Sequence, residues 1–363
     1  VERIMVECAN FLAGRGHDVS VMAAQFDEGV LAEGVQSLQV PVKAKQAILR
    51  SMSFRRQATG QLAALQQAGP MVHGAFGVVC PPGGVLWVQA VHAEWLKISG
   101  GQRSWKGRLK QRLNPFHPFI LRLERQYYGG RQYRKLIALT PRVRDEIMEH
   151  YGVPTEDIEL LPNGYNPQEF HPERRAALRG AMRAELGYSE SDRVLVFVAN
   201  ELERKGFFPL VEALARLKDA SIKLLVVGRV SGEPQQGLIE RAGLKGCVRF
   251  VGPSADVGRY YAAADLFVLP TYYEAWGLVI VEALAMGLPV VTSRLAGAAI
   301  AVVEGRTGLL LDDPQDAAEL AKTIDQQLRA AVVSPAEISA SVQDYRWDRV
   351  LVGYERILQE QCR

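Results

Sequence analysis

The window Tyr273–Ser293, YEAWGLVIVEALAMGLPVVTS, concentrates residues able to do chemistry. From Ala275 to Met286 every residue except Glu282 is apolar or glycine, so the segment reads as a helix buried on all sides and ended by Gly287 and Pro289. A carboxylate there is costly unless a hydrogen-bond donor meets it, and that donor is either a protein group or a ligand hydroxyl. Glu274 stands eight residues earlier, ahead of the helix proper. The backbone N–H groups of Trp276, Gly277 and Leu278 fall in the first turn, where they lack intrahelical acceptors and sit at the positive end of the helix dipole. Two carboxylates flanking such a turn suit a phosphorylated sugar. The plainer alternative makes Glu274 an acid favoured by a helix start.

A second cluster is VANELERKGFFPLVEAL, in which the strand Val194–Ala199 enters a polar turn and Arg204-Lys205-Gly206 leads a new helix. Two cations at the carboxyl end of a strand, beside a helix N-terminus, can clamp a diphosphate; alone, such a pair is usually just solvated. Among the six histidines, His92 in VQAVHAEW follows an apolar run and so lies at a strand's carboxyl end, with His73 in a similar place on the preceding strand. Either can hydrogen-bond a sugar hydroxyl, move a proton, or serve structure alone.

The elements that position these groups alternate between β and α. The chain opens as a helix, with Val1, Ile4, Met5, Cys8, Phe11 and Leu12 on one face and Gly14 and Gly16 ending it, followed by a strand in HDVSVMAA. Runs at Gly84–Val91 and Leu136–Leu139 alternate with helical stretches such as Pro141–Tyr151. After residue 190 the runs RVLVFVAN, KLLVVG, VRFVG, DLFVLP and LPVVTS are nearly continuous in apolar character, which implies strands covered on both faces of a parallel sheet. LPNGYNPQEFHPERR reads as a hinge, and Tyr345–Leu358 as an amphipathic terminal helix. The expected organisation is α/β: one Rossmann-like parallel-sheet domain over 1–165, a second over 166–345, and a helix over 346–363 returning to the first. Two such domains facing each other form a central cleft, with ligands at the strands' carboxyl ends.

The 363 residues are 48% hydrophobic and 23% charged, which excludes disordered and collagen-like chains and suggests two domains. Four scattered cysteines fit a reducing compartment and give no zinc spacing. Apolar runs are too short to span a membrane, and no GxGxxG follows a strand to open a helix, against a dinucleotide-dependent dehydrogenase. Charge is uneven: residues 103–135 carry +9 and residues 41–60 carry +5, leaving −11 for the rest of a chain whose total is +3. Trp105, Leu109, Leu113, Phe116, Phe119, Ile120 and Leu123 interleave the first stretch; Ile48, Leu49, Met52 and Phe54 interleave the second. Both suit an anionic membrane surface or two solvated helices, and no recognised nucleic-acid motif accompanies them.

The combination of NGYNPQEFHP, ERKGF, VVG, VRFVG and the acid-x7-acid motif Glu274–Glu282 before ALAMGLPVV resembles glycosyltransferase family 4, the retaining nucleotide-sugar transferases of GT-B fold. The likeness runs to about residue 358, is strongest over 190–312, and is nearest in tone to the lipopolysaccharide-core glucosyltransferase type. It implies transfer of a sugar from a nucleoside diphosphate sugar, UDP-linked by preference, to a lipid-linked or glycan acceptor, by a cytoplasmic protein peripheral to the inner face of the membrane. Arg204 and Lys205 match the cations on the donor diphosphate, Glu282 the acid on the ribose hydroxyls, and Glu274 the acid facing the transferred sugar. Trp276, Gly277 and Leu278 match the backbone donors, with Trp276 where the family usually has Phe. His92 resembles the sugar-contacting histidine, Asn163 and Gly164 the hinge, and the helix containing Trp347 the one crossing back. No metal or other cofactor is expected, since no DxD-like motif lies beside a plausible site. Two departures are visible. The family's first strand should precede Val1, which reads as truncation and would leave neighbouring strands with unpaired backbone groups. Ala301 occupies the glutamate position of a Gly-Gly-x-Pro-Glu run, here Gly297-Ala298-Ala299-Ile300-Ala301. The rival readings are a nucleotide-sugar epimerase or a phosphorylase of the same architecture, and a non-catalytic scaffold binding nucleotide or membrane.

Overall fold

A computed structural model describes residues 2–27, 29–102 and 105–362; Val1 of the opening helical face and Arg103 of the basic stretch lie outside them. The chain forms two units, Val1–Asn163 with Trp347–Arg363, and Gly164–Arg346.

The first unit contains α1 (Glu2–Gly14), β1 (Val19–Ala23), β2 (Val35–Gln39), α2 (Ala47–Ala68), β3 (Gly74–Ala75), β4 (Val85–Val88), α3 (His92–Gln102), α4 (Trp105–Leu113), α5 (Phe116–Glu124), β5 (Lys135–Ala138), α6 (Pro141–Tyr151) and β6 (Ile158–Leu160). All its strand pairs are parallel, but the sheet is in two pieces, β1–β2 and β3–β4–β5–β6. The fully buried run VLWV of β4 is its centre. The final helix of the chain (Trp347–Cys362) belongs to this unit: Trp347 and Tyr354 pack on Trp87 with ring centroids 6.4 and 5.0 Å away. Glu355 on that helix receives Arg15 at 3.2 Å and His17 at 2.7 Å, just past the end of α1. Local signals set α6 cleanly. Thr140 caps it by accepting from Val143 N at 3.1 Å, Pro141 opens it, and Gly152 at φ 64° ends it.

His73 departs from expectation. It precedes β3, at the strand's amino end, and its ring Nε2 lies 3.3 Å from Pro81 O. The short strand Gly74–Ala75 begins after it, so His73 is not at a carboxyl end. The basic stretch 103–135 also divides: Trp105, Leu109 and Leu113 on α4 are exposed, whereas Ile120, Leu123 and Glu124 on α5 are buried.

The second unit contains α7 (Pro172–Leu186), β7 (Arg193–Val198), α8 (Phe207–Leu217), β8 (Ile222–Val227), α9 (Gln236–Arg241), β9 (Val248–Gly252), α10 (Gly258–Ala263), β10 (Leu266–Leu269), α11 (Leu278–Ala285), β11 (Val290–Ser293), β12 (Gly308–Leu311), α12 (Ala317–Arg329) and α13 (Pro335–Ala340); the final helix of the first unit is α14. Its six-stranded parallel sheet has the order β12-β11-β10-β7-β8-β9. From β7 the chain winds outward through β8 and β9, then returns to β10 on the other side of β7 and winds the opposite way. The reversal between β7 and β10 is the place where such sheets open a crevice at their carboxyl ends. The five strands read from sequence are present; the edge strand β12 is additional. Arg175, Arg179 and Arg183, one turn apart on α7, donate to carbonyls at Gly287, Ala264 and Ala263 and, for the last two, also to Asp265, tying α7 to the end of α10.

Candidate active site

The switch point sets two loops side by side. One leaves β7 and carries Arg204 and Lys205; the other leaves β10 and carries Glu274. They are pinned by Tyr272 N donating to Arg204 O at 3.0 Å and by Thr271 Oγ1 donating to the same oxygen at 3.2 Å. Gly206, at φ 80°, permits the approach, since a Cβ there would stand 2.8 Å from the Pro270 carbonyl carbon.

At this junction the expected residues meet. Lys205 Nζ pairs with Glu274 Oε2, and Arg204 Nη1 lies 3.2 Å from the same oxygen and 2.8 Å from Tyr273 O. Arg204 Nε also reaches Glu201 at 2.9 Å. Burial, and then the neighbouring guanidinium, push the Lys205 ammonium down to about 7, while Glu201 favours its charged form and the contact with Glu274 opposes the shift. The cluster is a pair of cations held against one carboxylate.

The turn beside it differs in one respect from the sequence reading. Helix α11 begins at Leu278 with Gly277 as its cap at φ 102°, so Trp276 and Gly277 precede the first turn instead of lying within it. A left-handed glycine at the N-cap starts the helix at Leu278, three residues after Ala275, where apolar patterning begins it. The N–H groups of Trp276, Gly277 and Leu278 nevertheless find no acceptor among the described residues. Their carbonyl side is held from the facing loop: Gly297 N donates to Glu274 O at 2.8 Å and Ala298 N to Trp276 O at 2.7 Å. Gly297 is required for this contact, because a Cβ would lie 2.6 Å from the Ala275 carbonyl carbon. The indole Nε1 of Trp276 is buried with no hydrogen-bond partner among the described residues, and its ring packs on Tyr345 at 5.4 Å. Ala301 is buried.

Glu282 is 5% exposed, and a protein donor does meet it: Tyr261 Oη lies 3.2 Å from Glu282 Oε2. That tyrosine, on α10, had no signal in the sequence, since the pairing depends on two helices meeting in the fold.

His92 belongs to the first unit, where it opens α3. Glu124 caps that helix by accepting from His92 N at 2.7 Å and Ala93 N at 3.2 Å, and it also receives the Tyr151 hydroxyl at 2.5 Å. Burial holds the Glu124 carboxyl above the usual range, against these donors. The His92 ring bonds His117, 3.1 Å from Nε2 to Nδ1. Burial first, and the His117 charge second, lower His92 to about 4, so it is neutral at physiological pH. Asn163 Nδ2 donates to Gln89 Oε1 at 3.2 Å. Among the described residues no group of three or more His, Cys, Asp or Glu is placed to hold a metal, and no helix is long and apolar enough to cross a membrane.

Comparison with known proteins agrees along most of the chain. Residues 1–169 match the model of Glycosyltransferase Family 4, and residues 192–330 match that of Glycosyl transferases group 1. The lipopolysaccharide glucosyltransferase WaaG of Escherichia coli K12 is 28% identical over 355 residues, covering 95% of this chain and 91% of WaaG. A D-inositol 3-phosphate glycosyltransferase of Rhodococcus jostii is 31% identical over 234 residues, but the match spans only about half of that relative, 51%. In fold, the crystal structure of WaaG, a glycosyltransferase involved in lipopolysaccharide biosynthesis, superposes with a TM-score of 0.81 at 24% identity, covering 98% of this chain and 95% of that one. Anabaena HepE, solved with UDP and glucose, gives 0.69 at 20% identity, covering 99% and 95%. The fold is therefore GT-B.

Proposed function

The chain belongs to glycosyltransferase family 4, and on that premise we propose that it is a retaining hexosyltransferase using a UDP-sugar. The observation that carries this reading is the convergence of Arg204 and Lys205 on Glu274 beside the open N–H groups of residues 276–278. A diphosphate entering there exchanges a carboxylate partner for its own oxygens. The two cations and the helix start then stabilise the charge that develops as the sugar–phosphate bond breaks, with no metal needed. Glu274, released, faces the transferred sugar, and Glu282 holds the ribose hydroxyls with Tyr261 fixing its orientation. The acceptor hydroxyl attacks the anomeric carbon on the face the diphosphate leaves, a leaving-group oxygen takes its proton, and configuration is kept. His92 is read as a sugar-hydroxyl contact, as the family resemblance implies.

The acceptor is lipid-linked or a glycan, and the protein works at the inner face of a membrane. Supporting this, Trp105, Leu109 and Leu113 repeat every four residues along α4, each at least half exposed, beside Arg108, Lys110 and Arg112. Leu49 and Met52 on α2 are likewise exposed near Arg50. An apolar stripe flanked by cations is what an interfacial helix needs.

Thermal unfolding with UDP, GDP or ADP tests the donor site. A nucleotide at 100 times its dissociation constant adds roughly 2.7 kcal/mol to the folded state. UDP is expected to stabilise, and Glu282→Ala to abolish the effect; stabilisation by none of the three overturns the reading.

A further inference from the structure

His92 does not stand alone. Its ring is stacked on Trp95, centroids 5.4 Å apart at 19°, with Phe116 edge-on at 6.5 Å, so its plane is set by packing. Its Nε2 lies 3.1 Å from Nδ1 of His117, whose own ring sits 5.7 Å from Trp95. Two neutral imidazoles can form that bond in only two ways, and each fixes both rings. If His117 Nδ1–H donates, His92 carries its other hydrogen on Nδ1. If His92 Nε2–H donates, its Nδ1 is left with a lone pair. In either case the contact couples the tautomer of His92 to that of His117, so neither ring can change alone, and it leaves one ring nitrogen, Nδ1, with no protein partner among the described residues.

We propose that His117 is a positioning residue: by bonding Nε2 it makes the tautomer of His92 follow its own, holds the ring, and presents Nδ1 to a sugar hydroxyl. This rests on the reading of His92 as a sugar contact. The geometric component does not, and can be tested separately.

The first readout is ¹⁵N NMR of the imidazoles in the unliganded full chain at pH 7.5. His92 is expected to show one protonated and one lone-pair nitrogen. In His117→Phe, which keeps a ring against Trp95 but has no nitrogen, the two signals should move toward their tautomer average. In His117→Asn, whose amide reaches the Nδ1 position, they should separate again. The second readout is UDP release from UDP-glucose. His117→Phe should lower kcat about tenfold, the value of one hydrogen bond, with KM for UDP-glucose little changed. His117→Asn should recover most of the loss. A His92 tautomer unaffected by His117→Phe overturns the proposal. Should the tautomer respond while His92→Ala retains full turnover, the coupling stands and it is the role of His92 toward the sugar that fails.

Discussion

Lys205 and Glu274 form an ion pair between the loops that leave β7 and β10, and Arg204 closes on the same carboxylate oxygen at 3.2 Å. The charges suited to phosphate recognition are thus paired within the site, which offsets the cost of holding cations in a part-buried crevice. A diphosphate competes with Glu274 for its partners. Alanine at both Arg204 and Lys205 should reduce kcat/KM for a UDP-sugar by roughly 10²–10³-fold, since two charge-stabilising donors are lost. Retention of full transfer by that double variant would refute the donor-site assignment.

Donor binding should also depend on pH through Lys205. Its pKa is held at about 7, while the bound diphosphate favours the charged ammonium. Binding therefore takes up a proton once the pH exceeds about 7, and affinity for UDP should weaken by as much as about tenfold per pH unit above it. Titration calorimetry in buffers of different ionisation enthalpy measures that uptake directly. In Lys205→Met the proton uptake should vanish.

Gly297→Ala places a methyl group against the Ala275 carbonyl, where backbone meets backbone and neither side can give. The loop 274–277 must shift to accommodate it, and misplacement by an ångström of a positioned group costs about 10²-fold. The expected result is a kcat/KM about 10²-fold lower with the sheet intact by circular dichroism. Unchanged turnover would show that the facing loop does not set the position of Glu274.

The capping carboxylate Glu124 makes a stability prediction. Its folded pKa is raised above 4.5, so between that value and the raised one the native state binds more protons than the unfolded state. The Glu124 contribution to stability is therefore largest in acid and declines as pH rises through this window. Urea midpoints at several pH values from about 4 upward, compared with Glu124→Gln, isolate the slope: the variant should lack it.

Replacing Trp105, Leu109 and Leu113 together by serine should weaken binding to vesicles containing anionic lipid by about tenfold or more, as each buried methylene is worth about 0.8 kcal/mol. UDP-dependent stabilisation should be unchanged, because the stripe lies in the first unit. High salt should reduce the binding of the unmodified protein through the flanking cations.

Much of this architecture is legible in the chain because its signals are local. Uninterrupted apolar runs mark β7, β8, β10 and β11 as strands covered on both faces, and the isolation of Glu282 in an apolar helix marks it as a residue in need of a partner. The identity of that partner is not local: Tyr261 lies 21 residues away on α10 and reaches Glu282 only once α10 and α11 pack. His117 is hidden for the same reason, 25 residues from His92. Gly297 shows a different limit. In sequence it belongs to a run that departs from the family pattern, and only the closeness of two backbones shows why a side chain is excluded there. The position of Gly277 as a left-handed cap, which moved the helix start to Leu278, is likewise a dihedral fact that apolar patterning does not encode.

The docking of α14 on β4 also bears on how the polypeptide acquires its structure as it is made. The second unit is one uninterrupted stretch, Gly164–Arg346, whereas the first is completed only by Trp347–Arg363. On a ribosome the earlier-synthesised unit must wait, with the α14 side of Trp87 uncovered, until Trp347 and Tyr354 have been made. The order of maturation is thus the reverse of the order of synthesis, and a stalled or prematurely terminated chain exposes an aromatic surface suited to chaperone capture.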